Sequence, residues 1–209
     1  MGRIAPVETL IVRPGLAADL PAVGALLAEG FADKFGRIFG RAIERVPALL
    51  AGFTSLRQRR GLATVFVAAR DEQVVGVLDI AHGREGWRER WEQLQIALRE
   101  VGARATLRSF LGLALLLEAE DDRCGRAYIS ELAVAASQRG RGTGTALLGH
   151  AADWARVQGR PGLSLHVAQG NPAQRLYTRV GFRVEKRIAP RLERWLFGIP
   201  GWLYMVKDF

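Results

Sequence analysis

The chain is poor in sulfur, in histidine and in lysine. It holds one cysteine, Cys124, and two methionines in 209 residues. A single cysteine excludes an intrachain disulfide and any metal site built from several thiolates. Three histidines, His82, His150 and His166, are not spaced as ligands on one element, so no metal centre is expected. Long apolar runs are also missing. The longest, FLGLALLL at 110–117, is about half of the ~18–20 residues that span a bilayer. The opening MGRIAPVETL lacks the apolar core of a signal peptide. These absences lead to the expectation of a soluble, cytoplasmic protein with no membrane partner. Acidic residues are few, 21 against 30 basic ones, and the basic ones are nearly all arginine. From Glu131 onward there are 12 Lys and Arg against 5 Asp and Glu, so +7 of the net +9 lies there. Such a bias fits a polyanionic partner or a phosphorylated ligand, and equally a plain preference for arginine.

What is present is an ordinary globular composition, 49% hydrophobic, with no repeats and no low-complexity tail. A first strand is expected over Glu8–Arg13, a helix over Ala17–Gly30, and a helical region from Phe35 to about Arg59 interrupted near Pro47. TVFVAA (64–69) and VVGVLDI (74–80) read as a hairpin closed by Asp71-Glu72-Gln73. Trp87, Trp91, Leu94, Leu98 and Val101 are spaced 4, 3, 4, 3, one face of an amphipathic helix. A second helical piece, Thr106–Glu118, follows Gly102. Then come a strand (127–134), a helix (142–158), a strand (163–167), a helix (172–180) and two closing strands (182–188, 203–207). The fold class is therefore mixed α/β, a partly parallel central sheet flanked by helices, with a helical insertion at about 84–120. A single domain over 1–209 is expected.

The stretch Arg139-Gly140-Arg141-Gly142-Thr143-Gly144 lies between a strand and an apolar helix. At a helix start the backbone N–H groups and the positive dipole end face outward. Glycines let a ligand approach that backbone, and arginines add charge, so the turn suits phosphate groups. A P-loop lysine is absent, and glycines at 140, 142 and 144 do not fit the dinucleotide spacing. An arginine–glycine RNA tail would not run into Ala146-Leu147-Leu148.

The spacing R-x-x-G-x-G in that setting resembles the acetyl-coenzyme A loop of the GNAT N-acetyltransferase superfamily. A second match follows, N-x-x-A-x-x-L-Y-x-x-x-G-F, at Asn171 to Phe182. Glu131-Leu132-Ala133-Val134 looks like the family's splayed strand, and Val12-Arg13-Pro14 with Asp19-Leu20-Pro21 looks like its opening. The resemblance covers most of the chain apart from about 30–60 and 84–120. It implies transfer of an acetyl or other acyl group from acetyl-coenzyme A to an amine, by direct attack and without an acyl-enzyme. Arg139, Gly140, Arg141, Gly142, Thr143 and Gly144 would hold the pyrophosphate. The backbone of Leu132, Ala133 and Val134 would pair with the pantetheine arm as a strand does and hold the thioester carbonyl near an N–H. Asn171 is a contact to that arm or a helix cap.

An amine near pKa 10 must lose a proton before it attacks, and the leaving thiolate takes one. Tyr177 matches the family tyrosine near the sulfur and is the candidate acid; the alternative is packing beside Leu176 and Phe182. Glu131 is the candidate base, directly or through water. Strict alternation groups it with Ile129 and Ala133, and a salt bridge is its other use. His166 is the rival base, or a hydrogen-bonded core histidine. The acceptor end would involve residues 30–60 and the insertion, which forms a lid or a dimer contact. Phe31, Phe35, Phe39, Trp87 and Trp91 offer an aromatic wall or ordinary core, and Asp33, Glu44, Glu85, Glu89 and Glu92 are the carboxylates nearby. A peptide α-amine, a lysine side chain and a small amine remain open. Two other readings stand: a noncatalytic acyl-coenzyme A or partner-binding domain, and a basic nucleic-acid binder that lacks aromatic–basic strands.

Overall fold

The structure is a computed structural model that describes residues 9–30, 39–83, 85–113, 125–188 and 201–209, with backbone alone at 40–41 and 108–113. Asp33, Phe31, Phe35, Cys124 and the end of the Thr106–Glu118 helix lie outside the described residues.

Seven strands form one sheet in the order β1-β2-β3-β4-β5-β7-β6. They are β1 (Leu10–Pro14), β2 (Ala63–Arg70), β3 (Gln73–Ala81), β4 (Ala127–Val134), β5 (Gly162–Ala168), β6 (Arg183–Ile188) and β7 (Trp202–Asp208). The helices are α1 (Leu20–Gly30), α2 (Val46–Arg59), α3 (Trp87–Leu113), α4 (Thr143–Val157) and α5 (Ala173–Arg179). Only β4 and β5 run parallel; the other neighbours are antiparallel. The parallel pair follows from its connection, since a crossover through α4 returns the chain in the same direction.

Two local devices set the opening of the chain. Asp71 and Glu72 both have positive φ, the geometry of a two-residue hairpin turn, and they close β2 onto β3. Arg13 donates to both oxygens of Asp19, at 2.6 and 2.9 Å, and the Leu16 N–H donates to the same carboxylate at 2.8 Å. That fork fastens the end of β1 to the entry of α1, and it holds the Asp19 carboxyl below its usual range.

The sheet is covered on both faces. α4 and α5 pack on one face through Leu147, Leu148, Ala151, Tyr177 and Phe182 against Phe66, Leu78, Ile80, Ile129 and Leu165. On the other, Val23, Leu26 and Leu27 of α1 meet Val65, Val67, Val77 and Ala133. α2 and α3 add a third cluster outside α1, with Phe39, Val46, Leu49, Ala97, Val101 and Ala105. Phe39 is therefore core.

α3 begins at Trp87 as its spacing predicts and is broken at Gly102, where φ is 80° and ψ is 166°. Its direction differs from the expectation. The apolar stripe ending at Val101 was expected to face one way as a unit. Instead Ile96, Ala97 and Val101 turn inward, and Trp87, Trp91 and Leu98 are exposed. Periodicity defines a stripe; the inward side is set by small residues such as Ala97 and Ala105, which let α2 approach.

Candidate active site

The site is organised by a split in the sheet. β4 pairs with β5 only at Ala127↔Leu163, Tyr128↔Ser164 and Ile129↔Leu165. Beyond Ile129 β4 stays with β3, through Leu78↔Leu132, Val77↔Ala133 and Gly76↔Val134. The edge of Leu132–Val134 toward β5 has no strand partner among the described residues. A wedge opens there between the two parallel strands.

A bulge accompanies the split. The β3 register shifts between Asp79↔Glu131 and Ile80↔Ile129, which leaves Ser130 as the extra residue. Strict alternation placed Ile129, Glu131 and Ala133 on one face, and the bulge corrects that grouping. Ile129 joins the α4 core. Glu131 lies across from Asp79 on the α1–α2 face with Ala133, and Leu132 and Val134 turn to the α4 side.

The glycine-rich turn stands at the mouth of the wedge. After a 3-10 turn at Ala136–Gln138 the chain passes Gly140 and Gly142, both with positive φ (76° and 84°), and enters α4 at Thr143. A Cβ at either glycine would meet nothing within 4 Å, so the backbone faces open space in a conformation that side chains avoid. Gly142 is the cap, no side chain caps α4, and the first N–H groups point out of the helix. Thr143 is buried, and its Oγ1 has no hydrogen-bond partner among the described residues. An open left-handed turn, a helix start without a side-chain cap and a parted strand edge fit a phosphate-bearing ligand with an amide-rich arm.

The other predicted contacts divide. Arg141 is exposed beside the turn. Arg139 is already engaged: its Nε donates to the Val134 carbonyl at 3.2 Å and its Nη2 lies 3.6 Å from Glu29 Oε1. The same Glu29 oxygen accepts from the Ala136 N–H at 2.8 Å, so α1 braces the loop. Gly144 also serves packing, since a Cβ there would come within 2.8 Å of Leu176 Cδ2 and displace it. That contact sets α5 against the start of α4. Gly76 of β3 does the same from below, with Leu147 and Thr143 at 3.0 and 3.1 Å from its would-be Cβ. Asn171 uses Oδ1 to accept from the Ala173 N–H at 2.9 Å, a local turn bond just ahead of α5, which leaves its amide group as the donor on offer.

Tyr177 is 7% exposed, on α5, with its ring 5.8 Å from that of Phe182. Burial pushes its hydroxyl up to about 12, so it stays protonated at neutral pH. His166 is on the α1–α2 face of β5, where its Nδ1 and the Tyr128 hydroxyl are 3.1 Å apart and the Tyr204 ring is 4.9 Å away. Burial, and then the charge of Lys186, lower it to about 4, so it is a neutral imidazole. His82 and His150 are on the opposite face with Thr64, Phe66 and Trp154. Among the described residues no three His, Cys, Asp or Glu side chains group as a metal set would.

The sequence reading passed over a buried charge cluster beneath Glu131. Asp79 is 1% exposed, and Arg57 of α2 donates to it at 2.9 Å. Arg57 Nε also lies 3.5 Å from Glu85. The signal was legible in VVGVLDI: a lone carboxylate in an apolar strand must have a partner. Of the other carboxylates noted in this region, Glu89 accepts from the Gly86 N–H at 2.9 Å, Glu92 pairs with Arg60, and Glu44 is exposed.

A family model described as Acetyltransferase (GNAT) family matches residues 33–182. The chain belongs to the GNAT acetyltransferase family. Solved structures share its fold. A protein from Corynebacterium glutamicum, described as histone acetyltransferase HPA2 and related acetyltransferase, is 22% identical, with a TM-score of 0.65 and 96% of each chain covered. The PaiA N-acetyltransferase of Thermoplasma acidophilum, solved in complex with coenzyme A, is 14% identical, with a TM-score of 0.59, covering 96% of this chain and 99% of that one. A ribosomal-protein-alanine N-acetyltransferase from Brucella melitensis is 21% identical, with a TM-score of 0.58 and coverage of 95% and 99%. At these identities the likeness is one of fold. No curated protein matches the chain.

Proposed function

We propose that this chain moves an acyl group, in the simplest case acetyl, from acetyl-coenzyme A to a primary amine by direct attack within a ternary complex. One observation carries the reading: β4–β5 pairing stops at Ile129 and the open Gly140–Gly142 turn stands beside the parted edge. The cosubstrate, when bound, supplies an acyl group activated as a thioester. The turn and the first N–H groups of α4 hold its pyrophosphate, with Arg141 as an added cation. The edge of Leu132–Val134 receives the pantetheine arm, and a backbone N–H there faces the developing oxyanion.

Glu131 is our base, acting directly or through water. It sits beyond the last β4–β5 pair on the α1–α2 face, opposite the helices that carry the turn. A carboxylate both attracts the ammonium form of the acceptor and accepts its proton. His166 is neutral and in contact with Tyr128, which suits an uncharged wall of the acceptor site better than a base. Tyr177 keeps its proton at neutral pH and donates to the departing sulfur.

A second reading has one observation in its favour. Tyr177 is buried against Phe182 as a packing residue would be, and a domain that binds acyl-coenzyme A without transfer would keep such a tyrosine. A panel of primary amines with acetyl-coenzyme A, read by release of the free thiol, separates the two. Amine-dependent release supports transfer. Tight cofactor binding with no release above the amine-free rate supports the binding domain.

A further inference from the structure

The outer face of α3 is apolar, aromatic and cationic at once. Trp87 is 75% exposed, Trp91 56%, Leu98 44% and, past the break at Gly102, Leu107 71%. Large apolar side chains scattered singly on a surface need no account, but three along the Trp87–Val101 segment, with a fourth just past its break, do. Arg88, Arg90, Arg99 and Arg104 are exposed on the same helix. Its acids lie on the flank toward the protein, all half-buried: Glu89 bonds the Gly86 N–H, Glu92 pairs with Arg60, and Glu100 lies 3.7 Å from Arg99.

We propose that this face docks on an anionic lipid surface, with α3 lying in the interface. Charge and chemistry select that occupant. A second copy of the chain, related by a two-fold axis, would bring the arginine-bearing face against itself in a molecule of net charge +9. A nucleic acid would use the arginines and stack on the tryptophans, but Leu98 and Leu107 neither stack nor hydrogen-bond. A bilayer with acidic headgroups takes all three kinds of residue: leucines at the acyl boundary, tryptophans at headgroup level, arginines on the phosphates. The association is peripheral, since among the described residues no helix is long and apolar enough to cross a membrane.

The test is co-sedimentation of the full chain with phosphatidylcholine vesicles that do or do not contain phosphatidylglycerol. Binding is expected only with the anionic lipid, weakening as salt rises. Trp87→Ser/Trp91→Ser is expected to weaken it at least tenfold. Arg88→Glu/Arg99→Glu is expected to do the same or more, at about fivefold for each arginine held near such a surface. Acetyl-coenzyme A affinity, measured alongside, reports that the variants are folded. Quenching of wild-type tryptophan fluorescence by brominated lipid gives a reading independent of any variant. No sedimentation with anionic vesicles, equal binding by both variants and wild type, or a dimer that Trp87→Ser/Trp91→Ser dissolves without any vesicle binding would each overturn the proposal.

Discussion

Replacing Arg57 by alanine probes the charge cluster under Glu131. The Arg57 side chain is 13% exposed and that of Asp79 2%, with Nη1 2.9 Å from Oδ2. At an effective dielectric near 20, unit charges about 4 Å apart attract by about 4 kcal/mol. Burying the two ions costs a similar amount, so the intact pair is worth little against an apolar pair of the same size. Removing one partner is a different matter. Asp79 would stay in the core without this guanidinium, at a cost of about 3–5 kcal/mol. That is a large part of the ~5–15 kcal/mol that holds a domain together. Urea unfolding of wild type, Arg57→Ala, Asp79→Ala and the double variant Arg57→Met/Asp79→Leu measures it. Each single variant is expected to lose about 3 kcal/mol or more, and the double variant to recover most of that. Arg57→Ala within about 1 kcal/mol of wild type would refute the reasoning, because the pair would then be solvated and not part of the core.

The remaining expectations concern the helices and the site. Gly24→Ala should destabilise by about 2 kcal/mol or more, since the new Cβ would come within 2.1 Å of the Pro47 carbonyl oxygen; a helix-interior alanine elsewhere would gain about 1 kcal/mol, so thermal unfolding reads a reversed sign. His166 has a folded value of about 4, below the ordinary 6.5. The unfolded chain therefore takes up its proton first, and stability falls as pH drops from about 6.5 to about 4 and levels off below. After discounting for its partial exposure, His166→Gln should remove roughly 2 kcal/mol of that loss in an acid-unfolding series. Tyr177→Phe should leave acetyl-coenzyme A affinity within about twofold and lower amine-dependent turnover by roughly a hundredfold or more.

Much of this molecule was legible because its chemistry lies in contiguous sequence. The strand, turn and helix around Arg139–Gly144 form one local unit, and so do Asn171 and the helix that follows it, so residue type and spacing locate them directly. The element order followed from alternation and from glycine and proline punctuation, and the parallel pair from the helix that joins it. What resisted involved a choice between faces. Nothing in YISELAV marks Ser130 as a bulge, yet that residue moves Glu131 to the other side from Ile129. Nothing in the 4, 3, 4, 3 spacing says that Trp87 and Trp91 look outward; that is decided by α2, which brings Val46 and Leu49 to Ala97 and Ala105. The packing of Leu176 against Gly144, which lets α5 approach the start of α4, spans more than 30 residues and is not visible in the spacing. The Arg57–Asp79 pair spans 22 residues, and only the fold brings it together.

The central claim is that the turn at Gly140–Gly142 is a cradle for a phosphate-bearing cofactor. Isothermal titration of acetyl-coenzyme A into wild type and Gly142→Glu, at low and high salt, tests it most directly. At Gly142, φ is 84°, and a side chain would project into the open space proposed for the pyrophosphate, with a negative charge at its end. Binding to the wild type that weakens with salt and is lost in Gly142→Glu is the predicted result. Equal affinity in the two proteins would contradict the account.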